Sequence, residues 1–259
     1  MSDRQENPHS ACGSNTGADT AGSREPKELF TGEYIAFSPF DRLALAELIR
    51  RVAHAGCRMA EVGSWLGNGS TQVFLKELES FSGAELFCVD TWQGNPNVQR
   101  HLDIITQYDV YGTFLKNVAA NASRAKLTPL RTESIAAAAT FADQSLDLVF
   151  IDADHSYEAT KADIAAWRSK VRPDGILCGH DCELRVTAAN QKVFVANAAK
   201  DTIEMDDGPF RHIHPGSVLA VNDAFGDSAQ LWAETILDLP DGTPGRSSVW
   251  WVCSPAKQR

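Results

Sequence analysis

The twelve residues Ala60-Glu61-Val62-Gly63-Ser64-Trp65-Leu66-Gly67-Asn68-Gly69-Ser70-Thr71 constrain this chain most: an apolar run meets an acidic residue and three glycines before a helical pattern resumes. Glycine lacks a Cβ, so it permits positive φ and close approach of backbone to a small molecule, and a following helix N-terminus offers unpaired N–H groups. The spacing is Gly-x-x-x-Gly-x-Gly rather than the Gly-x-Gly-x-x-Gly of dinucleotide-binding folds. Two readings stand: a cofactor-binding bend, or only a tight strand-to-helix turn.

With 259 residues, 43% of them hydrophobic, the chain can bury one substantial core, and residues 29–259 read as a single domain. Residues 1–28 are polar and glycine-rich, with too few large apolar side chains to offset the entropy of ordering, and read as a disordered tail. No run approaches the ~20 apolar residues of a membrane span, and no basic segment leads into an apolar one at the N-terminus, so a cytoplasmic protein without a membrane partner is expected. A formal net charge of −10 opposes binding to nucleic acid. The six cysteines form no Cys-x-x-Cys pair, which predicts free thiols and no zinc site.

Strand-like runs at Met59–Val62, Glu85–Val89, Leu127–Leu130, Leu146–Ile151 and Ile176–Cys178 alternate with helical patterns at Thr71–Glu79, Thr113–Ala122, Ser134–Phe141 and Tyr157–Val171, and an amphipathic helix from Pro39 to His54 precedes them. The alternation predicts an α/β fold, a mostly parallel sheet with helices on both faces. Gln230–Ile236 and Ser248–Cys253 read as a closing antiparallel hairpin. The segment 183–215 has no clear period and reads as a lid or insertion over an acceptor. Trp92, Trp232 and the stretch 93–109 are further candidate acceptor walls.

In an open α/β sheet, ligands bind beyond the carboxyl ends of the strands. Those ends here carry Glu61 and the glycines, then Asp90, then Asp152-Ala153-Asp154-His155, then Gly179-His180-Asp181. Asp90 suits a hydrogen bond to a ribose diol, or a helix cap together with Thr91. Neighbouring strands lie ~4.8 Å apart, so Asp152 and Asp181 can reach one hard cation, and oxygen donors favour Mg²⁺. Carboxylates gathered this way repel one another unless positive charge sits among them. Taken singly, Asp154 also reads as a helix cap, and His155 and His180 as hydrogen-bonded structural histidines.

The run Leu146–Glu158, continued by Lys161-Ala162-Asp163-Ile164, Trp167 and Gly175–Asp181, resembles class I S-adenosylmethionine-dependent methyltransferases. It is most similar to the small-molecule O-methyltransferase branch of macrolide-sugar tailoring and cephalosporin-cluster enzymes. The resemblance covers roughly residues 35–182, with a weaker echo at His214-Pro215-Gly216. It implies a Rossmann-like seven-stranded fold with S-adenosylmethionine as cofactor. Glu61, Gly63, Ser64 and Gly67 would lie along the methionine part, Asp90 and Thr91 at the ribose, Glu133 and Ser134 at the adenine, with Asp152 adjoining. Metal-dependent relatives would place ligands at Asp152, His180 and Asp181; histidine at the second of these departs from the acidic or amide residue usual there, which opens the question of metal identity.

The resemblance also offers His155 or Asp154 as the base, and His155 is favoured because imidazole titrates near ~6.5 without large tuning. The expected function is therefore methyl transfer to a hydroxyl of a small-molecule acceptor, sugar- or polyphenol-like, with Mg²⁺ assistance and room for a homo-oligomer. Two other readings stay open: a catalytically inactive cofactor-binding protein of the same fold, and an NAD-dependent oxidoreductase, against which the glycine spacing argues.

Overall fold

Helix α1 (Pro39–Val52) begins where Ser38 and Asp41 cap each other: the Asp41 N–H donates to the Ser38 hydroxyl, and the Ser38 N–H donates to the Asp41 carboxylate. In this computed structural model residues 27–34, 37–121, 123–206 and 208–253 are described, so the expected tail lies, up to residue 26, outside the described residues. After α1 the chain forms β1 (Arg58–Val62), α2 (Ser70–Leu78), β2 (Glu85–Asp90), α3 (Gln99–Gln107), α4 (Val110–Ala119), β3 (Lys126–Arg131), α5 (Ser134–Ala138), β4 (Leu146–Ile151), α6 (Tyr157–Arg168) and β5 (Val171–Gly179). It continues through α7 (Gln191–Ala196), α8 (Pro215–Phe225), β6 (Gln230–Leu231) and β7 (Trp250–Cys253).

The seven strands lie in the order β3-β2-β1-β4-β5-β7-β6, with β7 antiparallel to both its neighbours and the pairs from β3 to β5 parallel. The expected mostly parallel sheet with a C-terminal antiparallel pair is the fold observed. Side chains alternate between two cores, as pleating requires. Met59, Leu86, Cys88, Leu148, Phe150, Ile176 and Cys178 face the layer containing Leu45, Phe74 and Phe114, whereas Ala60, Val62, Val89, Val149, Ile151 and Leu177 face the layer containing Ile164, Trp167 and Val218. Each such Leu, Ile or Phe contributes about 1.5–3 kcal/mol by leaving water.

Helix α3 differs from expectation: it went unread because its nine residues are mostly polar, with Leu102, Ile104 and Ile105 its only large apolar side chains. The segment 183–215 is built into the molecule: it contains α7, a two-residue ladder of Ile203–Glu204 with His212–Ile213, and the buried side chains Phe194 and Ile213. Strand order reverses between β1 and β4, where Val62 stands opposite Ile151, and Ile151 in turn stands opposite Gly179. The residues following β1, β4 and β5 therefore emerge side by side at the switch point where α/β sheets hold ligands.

Candidate active site at the carboxyl edge of the sheet

The β1 bend is braced from beneath. Glu61 is fully buried and its carboxylate accepts from the hydroxyls of Ser64 (2.8 Å), Ser70 (2.6 Å) and Thr71 (2.7 Å). Burial pushes its pKa up, and the three hydroxyls pull part of the way back. Glu61 and Ser64 thus turn their side chains inward, and it is backbone that faces outward. Gly63 has φ +92 and stands so close to the carbonyl of Asp152 that a Cβ would collide with it; Gly67, at φ +68, leaves no room for a Cβ beside the Phe114 ring. Both glycines are required by packing, whatever ligand lies above them.

Asp90 ties this bend to the end of β2. One carboxylate oxygen accepts from the Trp65 N–H (2.7 Å) and the other from the Trp92 N–H (2.6 Å). Each oxygen keeps a second lone pair, so the geometry leaves capacity for a diol. Thr91 accepts from the Gln93 N–H, Glu133 is exposed at the start of α5, and the Ser134 hydroxyl accepts from the Trp167 indole (2.9 Å). Trp92 is buried and donates to the Trp65 carbonyl, whereas Trp232 lies under the Arg51 guanidinium; of the expected acceptor walls, the 93–109 stretch is the one at the bend, placing His101 of α3 in a stack on Trp65 at 4.3 Å. Tyr34 bonds to the other side of His101, and burial lowers the His101 pKa to about 4.

At the tips of β4 and β5 the structure assembles a cluster of histidines and carboxylates. His155 Nε2 lies 3.0 Å from Asp181 Oδ2 and 3.5 Å from Asp152 Oδ1, while its Nδ1 lies 2.8 Å from Asp201 Oδ1. His180 Nδ1 lies 2.9 Å from Asp181 and 3.9 Å from Asp152, and its Nε2 lies 3.3 Å from Asp41. His214 Nδ1 lies 3.2 Å from Asp181 and also pairs with Glu183. Asp181 is the hub and adopts φ +64, a left-handed conformation that aspartate tolerates better than most residues.

Burial works against charge throughout this cluster, yet the ion pairs outweigh it. The carboxylates of Asp181, Asp152 and Asp201 hold the His155 pKa well above its ordinary value, Asp181 and Asp41 do the same for His180, and Asp181 and Glu183 raise His214. Reciprocally, the three imidazoles hold Asp181 well below the usual carboxylate range. The surrounding carboxylates favour its imidazolium form. The expectation that it needs no large tuning is corrected: three carboxylates raise its pKa well above the ordinary value.

Asp154 is not among the converging groups: its carboxylate accepts from the Ser156 N–H (2.8 Å) in an Asx turn just before α6, whose N-cap is Ser156 and carries no side-chain cap bond, so the expected cap is replaced by a turn. The cluster fits a divalent cation. Asp152, His155 and Asp181 each turn a donor atom toward one place, all within 4.8 Å of one another. Of the three expected ligands, Asp152 and Asp181 lie in this trio, whereas His180 does not; His155, Asp201 and His214 converge as a second trio, and Asp181, Glu183 and His214 as a third. The two carboxylates would suit Mg²⁺ or another hard divalent ion, with the His155 Nε2 left beside them.

A methyltransferase-domain family model matches residues 60–182, which hold the bend, Asp90 and the β4 and β5 tips. The seven-strand order described above accompanies that match. Residues 60–182 of this chain are thus similar to a methyltransferase domain. An uncharacterized protein, y4gI, of Sinorhizobium fredii is 29% identical over 102 residues, 39% of this chain, and the match spans 10% of that protein's length. An S-adenosylmethionine-dependent O-methyltransferase of Thermotoga maritima has a similar fold, with TM-score 0.51, 9% identity and coverage of 88% of this chain and 69% of that one. The calicheamicin methyltransferase CalS11 aligns with TM-score 0.47 and 17% identity over 82% of this chain and 78% of its own.

The cluster also draws residues from outside the matched stretch. Asp41 comes from α1, Glu183, Asp201 and His214 from the segment after β5, and Tyr34 from the N-terminal side. Sequence reasoning had placed none of the three carboxylates Asp41, Glu183 and Asp201 in the site, because a single acid in an aperiodic or helical segment carries no signal of its own. His214 alone had a pointer, in the His-Pro-Gly before α8. No helix among the described residues is long and apolar enough to cross a membrane.

Proposed function

We propose that this protein is an S-adenosylmethionine-dependent O-methyltransferase acting on a hydroxyl of a small molecule, with divalent-metal assistance. The observation that carries the reading is the meeting of Asp152, Asp181 and His155 beside the glycine bend, at the switch point of a methyltransferase-type sheet. Methyl transfer to oxygen needs an acceptor held in line with an already activated methyl and a place for the hydroxyl proton. Asp152 and Asp181 would hold a divalent cation, whose charge lowers the pKa of an acceptor hydroxyl and replaces the charge that imidazolium otherwise supplies. His155 Nε2, relieved of its proton, takes the proton of the hydroxyl. When bound, S-adenosylmethionine would supply a methyl already activated on a sulfonium sulfur, and its transfer to the acceptor oxygen would leave the carbon–sulfur electron pair on a neutral thioether. Asp90 and the outward backbone of the bend would hold the donor, and Tyr34, Trp65 and His101 form an aromatic wall suited to a ring-bearing acceptor, a sugar or a phenol.

Calorimetric titration with S-adenosylhomocysteine and with NAD tests the donor, and transfer of labelled methyl to a panel of sugar and catechol hydroxyls, with and without Mg²⁺ or Mn²⁺, tests the acceptor. We expect binding of S-adenosylhomocysteine and not NAD, transfer that stops on chelation, and a turnover loss of about 10²–10⁴-fold in His155→Ala with donor affinity kept. Tight binding of NAD alone would overturn the reading, and a full rate in His155→Ala would remove the base.

A further inference from the structure

The segment 27–34 runs from the α3–α4 junction to the glycine bend. At its start, Glu28 and Leu29 pair in parallel with Tyr108 and Asp109, the Phe30 N–H donates to the Thr113 hydroxyl (2.9 Å), and the Phe30 ring meets that of Tyr108 edge-on at 5.2 Å. At its end, Tyr34 reaches the bend itself. Its carbonyl accepts from the Asn68 side-chain amide (3.1 Å), its ring lies 6.2 Å from that of Trp65, and its hydroxyl bonds to His101 Nε2. The charges of Asp152, His155 and Asp201 act on both Tyr34 and His101, so this contact lies within reach of the bend and of the cluster alike.

The contact joins two neutral groups. His101 Nδ1 accepts from the Asn95 N–H (3.1 Å), so the ring proton sits on Nε2, which donates to the Tyr34 oxygen. Beneath it, Trp65 stacks on His101 at 4.3 Å, holds φ +42 and buries an indole N–H that has no partner among the described residues. A bulky residue at positive φ and a buried unpaired donor both cost free energy, so the covered bend is held closed against some resistance. The cover itself has little to hold it, since none of residues 27–34 is fully buried, and segments with few buried contacts open locally without global unfolding. We propose that residues 27–34 form a strap over the donor bend, latched by Tyr34 to His101, which opens to admit S-adenosylmethionine and closes on it. The proposal rests on the donor site assigned above and adds the device that gates it.

Hydrogen–deuterium exchange of the full chain, read by mass spectrometry, follows the strap without any ligand. Peptides covering 27–34 should exchange at least about tenfold faster than those of β1 and β4, and should slow by about tenfold when S-adenosylhomocysteine is bound. Phe30→Ala removes the anchor on Tyr108 without touching the bend, and Tyr34→Phe removes the latch. Each should speed exchange in 27–34 by about three- to tenfold and leave β1 and β4 unchanged, with circular dichroism confirming the fold. A gate alters passage in both directions, so stopped-flow tryptophan fluorescence should show both variants speeding association and dissociation of S-adenosylhomocysteine together, by about three- to tenfold, with Kd moving less than either rate. A bend merely weakened by lost packing would raise dissociation alone. Exchange in 27–34 as slow as in β4, no slowing with S-adenosylhomocysteine bound, or association rates unchanged in both variants overturns the proposal. If S-adenosylhomocysteine does not bind at all while exchange responds to both substitutions as stated, the donor assignment fails and the latched strap stands.

Discussion

The β1 bend and the β4–β5 tips both bury carboxylates at the same edge of one sheet, yet they solve the charge problem in opposite ways. Glu61 is surrounded by three neutral hydroxyls, and burial raises its pKa. Asp181 is surrounded by three imidazoles, and they depress its pKa in spite of equal burial. The first arrangement stabilises a shape and offers backbone to a ligand. The second gathers three imidazoles around one carboxylate, and in the proposed function a divalent cation would share that place. A single edge thus combines a rigid holder with a reactive corner, and the distinction can be probed by removing one carboxylate from each side.

The largest effect should come from Asp181→Asn. Asparagine tolerates the left-handed backbone at this position, so the change isolates the charge. Leaving three partly buried imidazoles without their shared partner should cost about 2–4 kcal/mol in urea unfolding near pH 6, short of the full cost of breaking a buried pair. The pH dependence has a definite sign. His155, His180 and His214 have folded pKa values raised above 6.5, so their contribution is fully present below pH 6.5 and is lost as pH rises through the folded values. Asp181, depressed below 3.8, contributes above that pH and loses its contribution as pH falls. Wild-type stability from this corner should therefore be greatest between about pH 4 and 6.5 and decline on both sides, and the variant should flatten the profile. A variant as stable as wild type at pH 6 would mean the cluster is not ionised.

On the other side, Asp90→Asn tests whether the bend and the β2 end are one donor-binding unit. The amide can accept from only one of the Trp65 and Trp92 N–H groups and must turn its own NH₂ toward the other. Calorimetry with S-adenosylhomocysteine should show affinity weakened by ~1.5–3 kcal/mol, a tenfold to hundredfold rise in Kd. An unchanged Kd would separate Asp90 from the donor and leave it as a clamp between β1 and β2.

What could be read from the sequence follows the same division. The strands, their mostly parallel sheet and the bend were legible because apolar period, glycine position and strand-end acids are local patterns, and Leu146–Ile151 matches its strand without shift. Asp152 and Asp181 were legible as neighbours because each ends a strand and adjacent strands place their ends together. Asp201 and Asp41 were not: the distance from His155 Nδ1 to Asp201 depends on how an aperiodic segment folds back, and that from His180 to Asp41 depends on how α1 docks on the sheet. The protonation of His155 was misjudged for the same cause, since a histidine takes its pKa from every carboxylate that reaches it.

The smallest effect, and the sharpest contrast with Asp181, should come from Glu61→Gln. Glutamine is nearly isosteric, and the hydroxyls of Ser64, Ser70 and Thr71 can rotate to accept as well as donate, so the cage can be rebuilt around a neutral side chain. Because burial raises the Glu61 pKa above 4.5, the folded state binds a proton there more tightly than the unfolded state. Wild-type stability from this group is therefore present below pH 4.5 and diminishes as pH rises through the folded value, opposite in direction to Asp181. Glutamine removes that loss. Denaturant titrations should show Glu61→Gln less stable than wild type by about 1 kcal/mol at pH 4 and closer to it at pH 7. A penalty that grows from pH 4 to pH 7 would show that the Glu61 charge is needed in the bend, which would put positive charge on both sides of the edge and dissolve the contrast between holder and reactive corner.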